Sequence, residues 1–296
     1  MINIPKYSIP KEVWVDKTKL SGKKLAAAVT ENIQQQIAKM DQKPGLAVLL
    51  VGEDPASQVY VKNKEKTAIN AGFNSILKRL PADTSEQEVL NLVNEWNQSK
   101  DVHGILVQLP LPAHLNADKI IQSILPAKDA DGFHIINAGR LSVKESGTIP
   151  CTPLGIILML RLLAIPLAGK RALVLGRSNI VGLPMSLLLL NENCTVTMAH
   201  SKTENLNELV AEADILVAAM GRRDVVDCEK IKQGSIVIDV GMHRVNDKLC
   251  GDLDQDIVEQ KAGYYTPVPG GVGPMTIAML MQNTLENKRR LENPDV

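Results

Sequence analysis

The stretch Arg171-Ala-Leu-Val-Leu-Gly-Arg-Ser-Asn-Ile-Val-Gly-Leu-Pro184 is an apolar run that ends in glycine and resumes as a helical pattern. A strand that feeds a tight turn and then a helix is a unit of parallel α/β sheets, and the turn is where such sheets hold a dinucleotide pyrophosphate. Ala172 to Leu175 reads as a buried strand, Gly176 permits the sharp turn, and a helix beginning near Gly182 points its free amides at the phosphates. The spacing is G-x-S-x-x-x-G rather than G-x-G-x-x-G, because Ser178 replaces the second glycine and Gly182 falls one place late. An ordinary strand, turn and helix without a ligand is the competing reading.

A second strand, Thr195-Val-Thr-Met-Ala199, follows at the distance of a ribose-binding strand. An NAD site usually carries Asp or Glu at the end of that strand, where the carboxylate accepts from the ribose 2′-hydroxyl and repels a 2′-phosphate. Here the chain reads His200-Ser201-Lys202-Thr203, and Arg177 stands in the preceding glycine turn. Cations and hydroxyl donors suit a 2′-phosphate, so NADP is expected before NAD. The same polar residues would also suit a plain solvated loop.

The 296 residues are enough for two domains, each with its own core. Lysine plus arginine equals aspartate plus glutamate at 33 each, with no basic block, so nothing favours nucleic acid or an anionic membrane surface. Cys151, Cys194, Cys228 and Cys250 lie far apart without a C-x-x-C pair, and the histidines form no H-E-x-x-H. Neither a metal site nor a disulfide framework is suggested. The N-terminus lacks a signal-peptide core, and the most apolar segment, Gly155 to Ala168, contains Arg161 and Pro166. A soluble, reduced, cytoplasmic protein is the expectation.

Short β-rich runs alternate with longer amphipathic ones, which is α/β organisation. Strands are predicted over Gly45–Val51, Ser75–Leu80 and His103–Leu109, with helices over Ser21–Met40, Ser57–Ala71 and Ser85–Gln98. A second set of strands covers Arg171–Leu175, Thr195–Ala199, Asp214–Ala219 and Ser235–Val240. Between the sets, Pro150-Cys-Thr-Pro153 reads as a stiff hinge. The first domain then spans 1–149, with a closing helix in 275–296 packing back on it, and the second, a Rossmann-like doubly wound parallel sheet, spans 150–274.

In the first domain Ser57, Tyr60 and Lys64 are spaced i, i+3 and i+7, so they share a helical face near the carboxyl end of a strand. Val107-Gln-Leu-Pro-Leu-Pro112 breaks a strand and presents Gln108, and Lys128-Asp-Ala-Asp-Gly-Phe-His134 is a turn that presents Asp131. Tyr and Lys at such spacing are common on solvated helices, and Asp in such a turn is often an Asx-turn former or a loose cation ligand.

The motifs S-x-x-Y-x-x-x-K, V-Q-L-P-L-P, K-D-A-D-G, P-C-T-P, G-R-S-x-I-V-G-x-P, H-S-K-T and P-V-P-G-G-V-G-P-M-T follow one another from about Leu20 to Arg290. In order and spacing the chain resembles bifunctional methylenetetrahydrofolate dehydrogenase/methenyltetrahydrofolate cyclohydrolases. Ala130 departs from the Val usual in that family, and the extension before about Val15 differs from the family's usual start. The resemblance implies two α/β domains with a cleft between them, tetrahydrofolate against the first and NADP against the second, and a homodimer. It implies that Lys64 moves protons in the hydrolase step, Gln108 orients it, Tyr60 packs on the folate ring system and Asp131 accepts from the pterin. It also puts Gly176, Arg177, Ser178, Ser201 and Met242 at the cofactor, and Pro269, Gly270 and Gly273 near both ligands. For that last loop a purely structural turn is the competing reading. His200 and His243 receive no catalytic role, and Ser57 supports its helix.

Two readings of another kind remain open. A different two-domain NADP-dependent dehydrogenase, such as a shikimate dehydrogenase-like enzyme, would share the architecture without explaining Tyr60, Lys64, Gln108 and Asp131 as a set. A dinucleotide-binding regulator without turnover would bind the cofactor but show no folate-dependent change in it.

Overall fold

The protein is described by a computed structural model over residues 2–293. A 3-10 turn at Lys11–Val13 precedes β1 (Val15–Asp16), β2 (Lys19–Leu20) and α1 (Gly22–Ile37). Next come β3 (Gly45–Val51), α2 (Pro55–Asn70), β4 (Asn74–Leu80), α3 (Glu86–Gln98), β5 (Gly104–Val107), α4 (Ala117–Gln122) and α5 (Ile135–Ser142). Then follow α6 (Cys151–Leu162), β6 (Arg171–Leu175), α7 (Gly182–Asn191), β7 (Thr195–Ala199), α8 (Leu206–Glu212), β8 (Ile215–Ala218) and β9 (Ile236–Asp239). The chain closes with β10 (His243–Val245), β11 (Lys248–Cys250), α9 (Gln255–Lys261), β12 (Tyr264–Tyr265) and α10 (Val272–Glu292). Of the helix expected in 275–296, residues 294–296 lie outside the described residues.

The chain divides into two compact units. The first takes Val29–Cys151 and the chain from Ile277 onward. Its sheet has the order β4-β3-β5, all parallel. Every residue of the central strand β3 is buried, as suits a strand covered on both faces. Leu49, Val51 and Ile105 pack with Val89, Val93 and Trp96 of α3. That helix opens in a capping box, with the Ser85 side chain accepting from the Glu88 N–H and the Glu88 side chain from the Ser85 N–H. Beyond β5 the segment at Asp129 runs parallel to it, with Ala130 N–H donating to Ile105 O at 3.2 Å.

The second unit takes Ile4–Ala28 and Thr152–Thr276. Its sheet has the order β1-β2-β12-β9-β8-β6-β7, and from β2 to β7 every pair is parallel. Leu173, Leu175, Leu216 and Val237 form much of its core. Residues 4–28 thus lie in the second unit, whereas the sequence reading counts them with the first. The cause is pairing: β2 joins β12 through Tyr265↔Lys19, and Trp14 and Leu20 are fully buried. The division between the units falls between Cys151 and Thr152, inside the Pro150–Pro153 stretch, where α6 begins. Pro153 falls in its first turn, where a missing N–H leaves no bond unmade. Among the described residues no helix is long and apolar enough to cross a membrane.

Candidate active site

Lys64 is internal because of its place on α2. Asp54 caps that helix, accepting from Ser57 N–H at 2.8 Å, and Pro55 fills the first turn. The buried residues are Ser57, Val61, Lys64 and Ala68, the i, i+4, i+7, i+11 stripe of one face. Only 5% of Lys64 is exposed. Its Nζ donates to Gln108 Oε1 at 3.0 Å and lies 4.5 Å from the centre of the Tyr60 ring. Gln108 stands just past β5, its main-chain N–H donating to Leu49 O at 2.8 Å. Its Nε2 donates to Leu109 O at 2.7 Å, which turns the amide oxygen toward the lysine. Burial holds the Lys64 ammonium below its ordinary pKa of 10.5, while the Asp131 carboxylate pulls it upward.

The K-D-A-D-G turn separates its two acids. Asp129 accepts from Gly132 N–H, His134 N–H and Asn137 Nδ2, each at 2.9 Å. The Asx role weighed for Asp131 is therefore filled two residues earlier. Lys128 closes α3 by donating to the carbonyls of Trp96, Asn97 and Ser99 at 3.0, 2.8 and 2.6 Å. Asp131 couples instead to Lys64 and Cys151: burial raises its pKa and the Lys64 charge lowers it. Cys151 was not among the site residues read from the sequence. Its Sγ donates to Ala130 O at 3.3 Å and accepts from Asn283 Nδ2 at 3.4 Å. Burial, reinforced by Asp131, pushes this thiol well above its usual range and keeps it neutral. Only the setting P-C-T-P hinted at it.

In the second unit the chain turns at Gly176 with φ of 115°. A Cβ there would lie 2.3 Å from Ala219 O, and one at Gly182 would lie 2.1 Å from Gly176 O, so both positions require glycine. Ser178 accounts for the altered spacing. Its Oγ accepts from Val181 N–H at 3.2 Å and Gly182 N–H at 3.4 Å, which occupies the amides expected to face phosphates. Among the described residues nothing accepts from the N–H groups of Arg177, Ser178, Asn179 and Ile180, so the turn rather than the helix offers free donors. Arg177, Ser201 and Lys202 are exposed at the ends of β6 and β7. His200 shapes the second of these turns, its N–H donating to Thr203 Oγ1 at 2.8 Å and its Nδ1 accepting from Lys202 N–H at 3.2 Å. A glycine turn with free amides, a cation beside it and no carboxylate at the next strand end fits a dinucleotide with a 2′-phosphate.

Met242 follows β9 and is 58% exposed. The loop at Pro269 has a cis bond from Val268, and Gly270 adopts φ of 102° while its carbonyl accepts from Lys23 N–H at 2.9 Å. Gly273 lies in the first turn of α10, where a Cβ would stand 3.8 Å from Met242 Cε. Tyr60, Lys64, Gln108 and Asp131 therefore cluster in the first unit. Gly176, Arg177, Ser178, Ser201, Met242, Pro269, Gly270 and Gly273 all lie in the second.

Two family models match the chain. Residues 20–131 match the tetrahydrofolate dehydrogenase/cyclohydrolase catalytic domain, and residues 150–292 match the NAD(P)-binding domain of the same family. The bifunctional protein FolD of Lactococcus lactis is 53% identical over 278 residues, covering 93% of this chain and 98% of that one. The crystal structure of the FolD methylenetetrahydrofolate dehydrogenase/cyclohydrolase from Campylobacter jejuni superposes with a TM-score of 0.90 at 44% identity, covering 93% of this chain and 99% of that one. The Trypanosoma brucei enzyme, solved with NADP cofactor and an inhibitor, gives a TM-score of 0.89 at 36% identity, with 94% and 99% covered.

Proposed function

The chain belongs to the tetrahydrofolate dehydrogenase/cyclohydrolase family, and from that membership we propose that it oxidises methylenetetrahydrofolate with NADP and hydrolyses the methenyl product to 10-formyltetrahydrofolate. The observation that carries the reading is Lys64, a buried amine aimed by Gln108 and coupled to Asp131. Both chemistries follow from what such a site can and cannot do.

NADP, when bound, accepts the hydride. The carbon that gives it up lies between two amine nitrogens, so the product is a delocalised amidinium and no proton has to leave. That step asks the protein for positioning alone. Tyr60 stacks against the folate ring system, Asp131 accepts from the pterin N–H groups, and the Pro269–Gly273 backbone approaches the ligands. Arg177 and Ser201 hold the 2′-phosphate, with Gly176 and Ser178 shaping the turn and Met242 beside the cofactor.

Hydrolysis has different demands. Water adding to the methenyl carbon loses a first proton, and a second passes from the new hydroxyl to the nitrogen that leaves that carbon as the formyl group forms, so one proton is released overall. An amine held below the ordinary lysine range can take the first proton and pass on the second. Lys64 is assigned that role, with Gln108 fixing where Nζ points. The resemblance also supports a cytoplasmic homodimer serving one-carbon metabolism and, through it, purine, methionine and histidine synthesis.

The test is to mix the purified protein with methylenetetrahydrofolate and either NADP or NAD. Reduction of NADP with equivalent appearance of formyl product is expected. Cofactor binding without folate-dependent reduction would leave a regulator, and reduction driven by a shikimate-like substrate instead would leave another dehydrogenase. Preference for NAD would remove the cofactor assignment.

A further inference from the structure

At the carboxyl edge of the second unit's sheet stand two adjacent buried acids that the reaction above does not use. Asp239 ends β9 at 7% exposure, and Asp252 follows β11 at 2%. Asp239 Oδ1 accepts from Gly241 N–H at 2.9 Å and Asp252 N–H at 3.0 Å, and its Oδ2 accepts from Leu253 N–H at 2.9 Å. Asp252 Oδ2 accepts from Met220 N–H at 2.7 Å and Gly221 N–H at 3.0 Å, while its Oδ1 meets His243 Nε2 at 2.7 Å. Burial, with the neighbouring Asp252 adding to it, pushes Asp239 up to about 6. Space is equally constrained: a Cβ on Gly241 would lie 2.2 Å from Asp252 Oδ1, and one on Gly251 would lie 2.0 Å from Asp239 Oδ2.

Two neighbouring carboxylates in an interior are unfavourable unless their oxygens are fully hydrogen-bonded. Apart from the His243 ring, the donors found here are main-chain amides of the segments that leave β8, β9 and β11. In open parallel sheets the exits of strands such as β8 and β9 are where the ligand binds. Met242 sits between Gly241 and His243, both tied to this pair, and its side chain is exposed.

We propose that Asp252 and His243 are positioning residues for the nicotinamide cofactor, holding the main chain at Met220–Gly221 and Gly241–His243 so that Met242 and the β8 exit form a preformed surface for it. The proposal rests on the reading that the second unit binds NADP. Neither residue needs to touch the reacting atoms. What the pair supplies is the shape of the binding edge before the cofactor arrives, which spares the ordering entropy that binding would otherwise lose.

The test compares His243→Leu, which keeps bulk without a donor, with His243→Gln, whose amide can still donate to Asp252. NADP affinity is measured by calorimetry below each variant's melting temperature, and dehydrogenase kinetics follow. His243→Leu should bind NADP about tenfold more weakly, the scale of one charge-assisted hydrogen bond, and the KM for NADP should rise more than kcat falls. His243→Gln should recover most of the affinity. Unchanged binding in His243→Leu overturns the proposal, and so does equal loss in both variants, which would mean the imidazole acts by packing alone. If the wild-type protein itself fails to bind NADP, the underlying cofactor reading falls instead.

Discussion

Lys64, Lys128 and Lys288 are all buried, yet their surroundings differ in kind. Lys128 donates to main-chain carbonyls and Lys288 pairs with Glu292, whereas Lys64 has the neutral amide oxygen of Gln108 and the face of Tyr60. A charge held this loosely is easily given up, which is what an acid/base group requires. Asp131 works against that release, because its carboxylate favours the protonated amine. In Asp131→Asn the Lys64 pKa should therefore fall further, and the acid limb of hydrolysis, where the amine must lose its proton to act, should move to lower pH. The folate KM should rise roughly tenfold as a charged acceptor is lost, with NADP affinity unchanged. A kcat profile against pH at saturating folate checks the sign. A limb that stays in place or moves up would show that Asp131 does not govern Lys64.

The turn at Gly176–Gly182 is the element to which we assign cofactor choice. Its glycines are fixed by space and conformation, its donors are main-chain, and Arg177 is the exposed cation within it. Arg177→Ala should weaken NADP binding by about 1–3 kcal/mol, the scale of a charge-assisted contact, while NAD binding changes much less. Equal losses for both cofactors in a titration would contradict a 2′-phosphate contact. This element was legible in the sequence because strand, turn and helix are local: Arg171–Leu175 and Thr195–Ala199 occur with the bounds expected. The strands β1, β2 and β12 were not, since two residues carry no period and exist only through pairing with one another and with β9. The site divides in the same way. Lys64 and Tyr60 share one helix and Gln108 marks one strand end, so spacing exposes them. Cys151 beside Asp131, and His243 against Asp252, depend on contacts that no local pattern encodes.

For the whole molecule, the N-terminal segment belongs to the unit that holds the cofactor turn, although the sequence places it with the other. Trp14 is fully buried there, and its indole N–H has no partner among the described residues. Trp14→Ala should cost about 3–5 kcal/mol in urea unfolding, as for other buried tryptophans, whereas Trp14→Phe, which removes the unpaired donor, should cost far less. Saturating NADP should offset part of the loss in Trp14→Ala, because a ligand of the folded state stabilises it by mass action. An equal cost for both substitutions would contradict the absence of a partner for the indole N–H. The chain as a whole is assigned two reactions that differ in one requirement, since hydride departure needs no proton acceptor and hydration with ring opening does. Lys64→Met tests that division most directly, because it keeps length and apolar packing while removing the ammonium. Both activities are measured on one preparation, with folate binding as the control for folding. Folate should still bind, some dehydrogenase activity should survive, and hydrolysis of methenyltetrahydrofolate should fall at least about a hundredfold. Hydrolysis continuing near the wild-type rate would contradict the account and give the proton transfer to another group.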